Sequence, residues 1–254
     1  MTIKTKKKIE AAILIIGNEI LSGRTQDLNV SFISKWLNDN CGISINEVRI
    51  IPDIKKKIIF NVLDLSKKFK YVFTTGGIGP THDDITALSV SKAFNVKYNY
   101  NKEAYLILEK YYGKKNFNDG RKKMAKMPFG SSLIYNPSSA APGFKIKNVL
   151  CLPGVPLILQ SMIGNVKKFL NKGSVVLSKS INLITVESNI SQELEAIQNQ
   201  FLKKVEIGSY PFFRLGKVGV SLVLRSSSKV QINLCKKKID KFLKNKKIKL
   251  FKNN

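Results

Sequence analysis

The residues best equipped for chemistry in this 254-residue chain stand in one run, Thr74-Thr75-Gly76-Gly77-Ile78-Gly79-Pro80-Thr81-His82-Asp83-Asp84. It follows the apolar stretch Tyr71-Val72-Phe73 and precedes a helical pattern of Ile85, Leu88, Val90 and Phe94. Glycine lets backbone approach a ligand closely and take φ > 0. The start of a helix offers unpaired N–H groups and a partial positive charge, which suits phosphate. Two adjacent carboxylates would repel a bare phosphate but suit a bridging Mg²⁺. The run therefore predicts a site for a phosphorylated ligand with a metal. It is neither G-x-x-x-x-G-K-[ST] nor G-x-G-x-x-G with a downstream acid. Read alone, it also fits a plain strand-to-helix turn in which Asp84 caps the helix.

A second segment upstream tips that balance. Ala11 to Ile16 is a continuous apolar run ended by Gly17, followed by Asn18 and Glu19. Such a run fits a strand buried on both faces of a parallel sheet. Open α/β sheets bind ligands just past their strand ends, where Glu19 falls. The alternative for Glu19 is a solvated loop carboxylate.

The elements that must position these groups alternate in the order βαβαβα. After the first strand, a helix carries Asp27 as N-cap, Phe32, Ile33, Trp36 and Leu37 on one face, and Gly42 as its stop. Residues 43–51 read as a strand, Ile54 to Phe69 as an amphipathic helix, and 71–75 as the third strand. This order predicts a parallel, doubly wound α/β sheet. The loops from Asn118 to Gly154 gather further signals: Asn118-Asp119-Gly120-Arg121, Asn136-Pro137, Ala141-Pro142-Gly143 and Leu152-Pro153-Gly154. Short strands are expected at 133–135 and 149–152, and a helix from Leu157 to Leu170 with Pro156 in its first turn. Beyond Gly173 the pattern changes to βαββα, a small α+β sandwich. Gly216-Lys217-Val218-Gly219 is formally a GxxG, but it lies between two strands and reads as hairpin chemistry. The boundaries expected are 9–171 and 174–250.

Composition bounds the partners. The net charge is +27, yet only five of the 44 basic residues are arginine and the lysines are scattered. Arginine is the better bidentate reader of phosphates and bases, and Lys, Ile and Asn enrichment is what an A/T-rich coding sequence drifts toward. No specific nucleic-acid partner is expected, only weak, salt-sensitive affinity. No run approaches a membrane span, and the charged start, Met1 to Lys8, reads against a signal peptide. Cys41, Cys151 and Cys235, odd in number and far apart, suit a reducing cytoplasm and offer no zinc pattern.

Taken together, Gly17-Asn18-Glu19-Ile20-Leu21-Ser22-Gly23, Thr75 to Thr86, Asn118 with Arg121, Asn136-Pro137, Ala141-Pro142-Gly143, Leu152 to Pro156 and Gly208 to Pro211 resemble the competence/damage-inducible protein A (CinA) family. The likeness is to its short form and spans nearly the whole chain in family order. It implies a three-layer αβα domain with a mostly parallel sheet, the molybdopterin-binding fold of the MoaB and Mog type, followed by a KH-like domain. It further implies a cytoplasmic, metal-dependent hydrolase of nucleotide diphosphates such as ADP-ribose or FAD, using Mg, Mn or Co and potassium. A non-catalytic binder of molybdopterin or nucleotide, and a molybdopterin adenylyltransferase-like enzyme, are the alternatives. Homo-oligomers are expected. By residue, the resemblance assigns Asp83, Asp84 and Glu19 to metal and catalysis. It assigns ligand contacts to Gly17, Asn18, Thr75, Gly76, Gly77, Gly79, Pro80, Thr81, Asn118, Arg121, Pro153 and Gly154, with Arg121 neutralising charge. Two positions depart from the family pattern: Asn18 stands where Thr or Asp is usual, and His82 where Lys or Arg is frequent.

Overall fold

A computed structural model describes residues 9–214 and 216–251, so the charged start of the chain lies outside the described residues. The chain divides into two units, Met1–Ser174 and Val175–Asn254.

In the first unit, β1 (Ile9–Ile16) leads through the short helix α1 (Asn18–Leu21) to α2 (Asn29–Cys41) and β2 (Ile43–Ile51). Then come α3 (Lys55–Lys68), β3 (Tyr71–Thr75), α4 (Thr86–Ala93), β4 (Tyr98–Tyr100), α5 (Lys102–Tyr112) and α6 (Asp119–Lys123). Strands β5 (Lys126–Pro128), β6 (Ser132–Ile134), β7 (Gly143–Ile146) and β8 (Val149–Leu152) and helix α7 (Pro156–Met162) close it. The main sheet has the order β2-β1-β3-β8-β7-β6. Its first four strands are parallel, while β7 and β6 join antiparallel.

Burial on both faces explains why β1 is apolar throughout. Ala12, Leu14 and Ile16 pack with Ile58, Val62 and Leu65 of α3 and Val90 of α4. Ala11, Ile13 and Ile15 pack with Ile33 and Leu37 of α2 and Leu159 and Met162 of α7. Each buried Val, Leu, Ile or Met side chain among these contributes roughly 1.5–3 kcal/mol. Helices on both faces make the three-layer αβα fold. From β1 the chain steps to β2 on one side, then back across to β3 on the other. That reversal opens a crevice at the carboxyl ends of β1 and β3.

The second unit runs β9 (Leu177–Ile184), α8 (Ser191–Gln200), β10 (Glu206–Arg214), β11 (Lys217–Ser226), α9 (Lys229–Asn245) and β12 (Lys249–Leu250). Its antiparallel sheet has the order β10-β11-β9-β12. Ile181, Leu183, Val220, Leu222 and Leu224 pack under Ile197 of α8 and Ile232, Ile239 and Leu243 of α9. The GxxG segment does form a hairpin connection, Gly216 at φ 70 followed by the start of β11; Leu215 lies outside the described residues.

Several elements differ from expectation. The helix expected over 157–170 is α-helical only to Met162 and tightens to 3₁₀ from Ile163 to Phe169, where Gly164 and Asn165 are weak helix formers. Strands β4, β5, β7 and β12 are too short to show a period, being set by pairing rather than pattern. All three cysteines are free and buried. Burial pushes the Cys151 thiol up to about 12 and the Cys235 thiol up to about 11.

Candidate functional site

A cavity of about 530 Å³ lies at the carboxyl ends of the parallel strands. Its walls come from the segment after β1 (Glu19 of α1 and Thr25), the loop after β2 (Asp53), the glycine run after β3 (Gly76 to Thr81, Asp83 and Asp84), the turn between β6 and β7 (Asn136, Ser139, Ala141, Pro142) and the segment after β8 (Pro153 to Pro156). The volume suits a small organic ligand.

The glycine run takes its shape from two residues in the left-handed region. Gly76 has φ 96, and a Cβ there would collide with the carbonyl oxygen of Ile16; Gly77 has φ 67, and a Cβ would collide with the Thr86 hydroxyl. The Gly76 N–H donates to the Leu152 carbonyl at 3.1 Å, which ties the run to β8. Thr86 holds its other end, donating its N–H to the Gly77 carbonyl and its hydroxyl to the Gly76 carbonyl. Among the described residues, the N–H groups of Gly77, Ile78 and Gly79 make no hydrogen bond. Beneath the run, the Thr75 hydroxyl is buried with no partner.

Carboxylates gather at the rim. Thr81 is their organiser: its N–H donates to Asp84 Oδ2 at 2.8 Å, and its Oγ1 lies 2.5 Å from Asp83 Oδ1 and 2.6 Å from Asp84 Oδ2. One hydroxyl proton serves only one of those two acceptors. The Thr81 hydrogen bond holds the exposed Asp83 carboxyl below the usual carboxylate range, helped by His82 and Lys123. Asp84 does not cap α4 as a plain turn would have it; Ile85 occupies that position, and the Asp84 side chain turns back to Thr81. Glu19 folds over Gly17, where a Cβ would sit 2.6 Å from its Oε1.

Asp53, which the sequence alone did not single out, completes the ring. It accepts the Asn18 N–H at 2.9 Å and so fastens the loop after β1 to the loop after β2. Burial pushes its carboxyl above the usual range, the Asn18 hydrogen bond opposes this, and the charges of Glu19, Asp83 and Asp84 reinforce it.

Residues 12–172 match the family described as "Probable molybdopterin binding domain". The chain belongs to that family. Residues 175–252 match the model of the FAD synthase middle domain. A protein of Archaeoglobus fulgidus is 34% identical over 226 residues, covering 88% of this chain and 94% of its own length. A CinA-like protein of Sulfurihydrogenibium is 37% identical over 171 residues, 64% of this chain, which spans 42% of that longer relative. The crystal structure of CinA of unknown function from Thermoplasma acidophilum aligns with a TM-score of 0.60 at 30% identity, over 64% of this chain and 98% of that one. The chain is thus CinA-like, with a molybdopterin-binding-domain fold followed by a small antiparallel α+β unit.

Within this molybdopterin-binding domain, ten of the residues expected at the site line the cavity: Glu19, Gly76, Gly77, Gly79, Pro80, Thr81, Asp83, Asp84, Pro153 and Gly154. Gly17, Asn18 and Thr75 stand behind them as supports. Asn118 and Arg121 do not join the wall. Asn118 caps α6 by accepting the Arg121 N–H at 3.0 Å. The Arg121 guanidinium stacks 4.2 Å from the Tyr112 ring and donates to the Asn116 carbonyl. The cation beside the acidic loop is Lys123, which donates to the Thr81 carbonyl. The i+2 offset from Arg121 was the missed signal: on a short helix it turns the side chain to another face.

Glu19, Asp83 and Asp84 are also not assembled into one metal cage. Among the described residues, no three His, Cys, Asp or Glu side chains form a group able to hold a metal. Asn136, which lines the cavity, has its amide committed to the turn it sits in, bonding Ser138, Ser139 and Ala141.

Proposed function

We propose that the protein hydrolyses nucleotide diphosphates such as ADP-ribose or FAD with a divalent metal. One observation carries this reading: Gly77, Ile78 and Gly79, whose N–H groups make no hydrogen bond among the described residues, line one cavity with Asp83 and Asp84. N–H groups alone attract an anion, while carboxylates repel it. Asp83 and Asp84 would reconcile the two by holding a hard cation, which would supply the positive charge that offsets their repulsion of the phosphates.

The donors present suit such a cation. Asp83 and Asp84 offer hard oxygens beside the Thr81 hydroxyl, and Mg²⁺ is commonly held by one or two carboxylates plus substrate phosphates. A complete protein cage is not required. When bound, the metal supplies charge neutralisation to the diphosphate.

The chain's own groups do the rest. The N–H groups of Gly77, Ile78 and Gly79 hold phosphate oxygens where charge builds. Asp83, kept ionised by Thr81, and Asp84 would hold the cation. Glu19, carried on the short helix α1, orients the attacking water and accepts its proton. The water oxygen bonds to phosphorus, the bridging P–O bond breaks, and the electron pair leaves with the second phosphate. The match of residues 175–252 to the FAD synthase middle domain supports a flavin or related dinucleotide as substrate.

The test is a hydrolysis screen of ADP-ribose, FAD and NAD with Mg²⁺, Mn²⁺ or Co²⁺ against a chelator control. Metal-dependent release of nucleoside monophosphate is expected. Metal-aided binding with no product would make the protein a nucleotide- or pterin-binding module instead.

A further inference from the structure

We propose that the open face of the second unit's sheet is a stacking platform for single-stranded RNA. The sheet runs βαββαβ with the order β10-β11-β9-β12, and α8 and α9 cover one face only. Four-stranded sheets of this kind read single strands by stacking bases on aromatic side chains of the uncovered face.

The register tells which side chains lie there. Val220, Leu222 and Leu224 of β11 point to the helices, so Gly219, Ser221 and Arg225 point away. Their partners on β10 are Phe212, Tyr210 and Glu206, and Asn182 on β9 stands opposite Ser221. Tyr210 is 47% exposed. Its ring lies along the sheet over Gly208, where a Cβ would come within 2.8 Å of it. Phe212 lies likewise over Gly219 and meets Phe251 edge-on at 5.3 Å. Glycine within a strand often marks a place where another group lies close on the backbone. Here it lets aromatic rings lie low on the sheet, with a face open for a base.

Charge selects the partner. The Arg214 guanidinium sits 5.2 Å from the Phe212 ring. Lys217 pairs across the ladder from Arg214, and Lys249 pairs with Ile184, so both lie on this face. Arg225 faces Glu206, the acid on this side. Rings flanked by cations fit a phosphate-linked strand of bases. Ser180, Asn182 and Ser221 supply hydroxyl and amide groups between the rings, suited to ribose 2′-hydroxyls. Nothing in this arrangement reads sequence, in keeping with the scattered lysines.

The test is fluorescence anisotropy of the full chain with oligouridylate RNA, oligothymidylate DNA and duplex RNA. RNA single strands should bind most tightly. Tyr210→Ala should weaken that binding about ten-fold, the loss of one stacked base. Phe213→Ala should leave it unchanged, although Phe213 is 73% exposed, because it points to the other side of the same strand. Arg214→Gln, a surface change that leaves the core intact, should lower affinity and flatten the salt dependence by about one phosphate contact. Equal binding of DNA or duplex, equal loss in Phe213→Ala, or full binding by Arg214→Gln or folded Tyr210→Ala would overturn the proposal.

Discussion

At Gly76 and Gly77 the first unit uses glycine for its backbone: both residues sit at positive φ, and a Cβ would strike the Ile16 carbonyl oxygen at Gly76 and the Thr86 hydroxyl at Gly77. At Gly208 the second unit uses glycine to make room, so that the Tyr210 ring lies across the sheet; at Gly219 a Cβ would meet both the Phe212 ring and the Leu183 carbonyl oxygen. The first use shapes a concave loop in which the N–H groups of Gly77, Ile78 and Gly79 make no hydrogen bond among the described residues; the second keeps a surface flat. The charge follows the same division. Carboxylates of Glu19, Asp53, Asp83 and Asp84 ring the cavity of a strongly basic protein, whereas the open sheet carries Arg214, Lys217 and Lys249. Local charge, not the total of +27, sets what each region attracts.

The largest effect that separates the regions is expected from Asp84→Asn. An amide oxygen still accepts the Thr81 N–H, so the loop persists while the charge is lost. Hydrolysis should fall by about two orders of magnitude or more, with RNA binding and thermal stability near wild type. Parallel assays of turnover, anisotropy and melting check this, and wild-type turnover would remove Asp84 from the site.

Gly76→Ala against Gly208→Ala tests the two uses of glycine. The first forces a side chain into the left-handed region and into the Ile16 carbonyl, and should cost about 3 kcal/mol or more. The second meets only the far end of the Tyr210 ring, which can swing away, and should cost under about 1 kcal/mol. Urea unfolding followed separately by probes in each unit measures both; equal costs would erase the distinction.

The smallest effect concerns Asp53. Its raised carboxyl holds a proton more tightly when folded than when unfolded. Its contribution to stability is therefore full below about pH 4 and is lost as pH rises through the folded value. Asp53→Asn should raise the melting temperature slightly at pH 7, the effect being kept small by solvent screening. The gain should vanish in acid. A lower melting temperature at pH 7 would mean that the hydrogen bond to Asn18 outweighs the repulsion among the carboxylates.

Much was determined by sequence because the relevant signals are local. The unbroken apolar run 11–16 dictates a strand buried on both faces, and the alternation of runs and amphipathic stretches dictates a doubly wound sheet. Glycine followed by acids after the third strand marks the cavity wall, and a hairpin reading of the GxxG segment needed only its place between two strands. The tertiary structure alone decided what converges from far apart. Asp53 looks like any loop acid until the parallel pairing of β2 with β1 brings its loop beside Glu19. Lys123 and Arg121 are near neighbours in sequence, yet the packing of a short helix sends one to the acidic loop and the other to Tyr112. The open sheet was hidden for the same reason: Tyr210 and Phe212 share a face with Gly219, Asn182 and Phe251 only once three strands are in register. Periodicity tells a residue which side of its own strand it occupies, but only pairing tells it its neighbours.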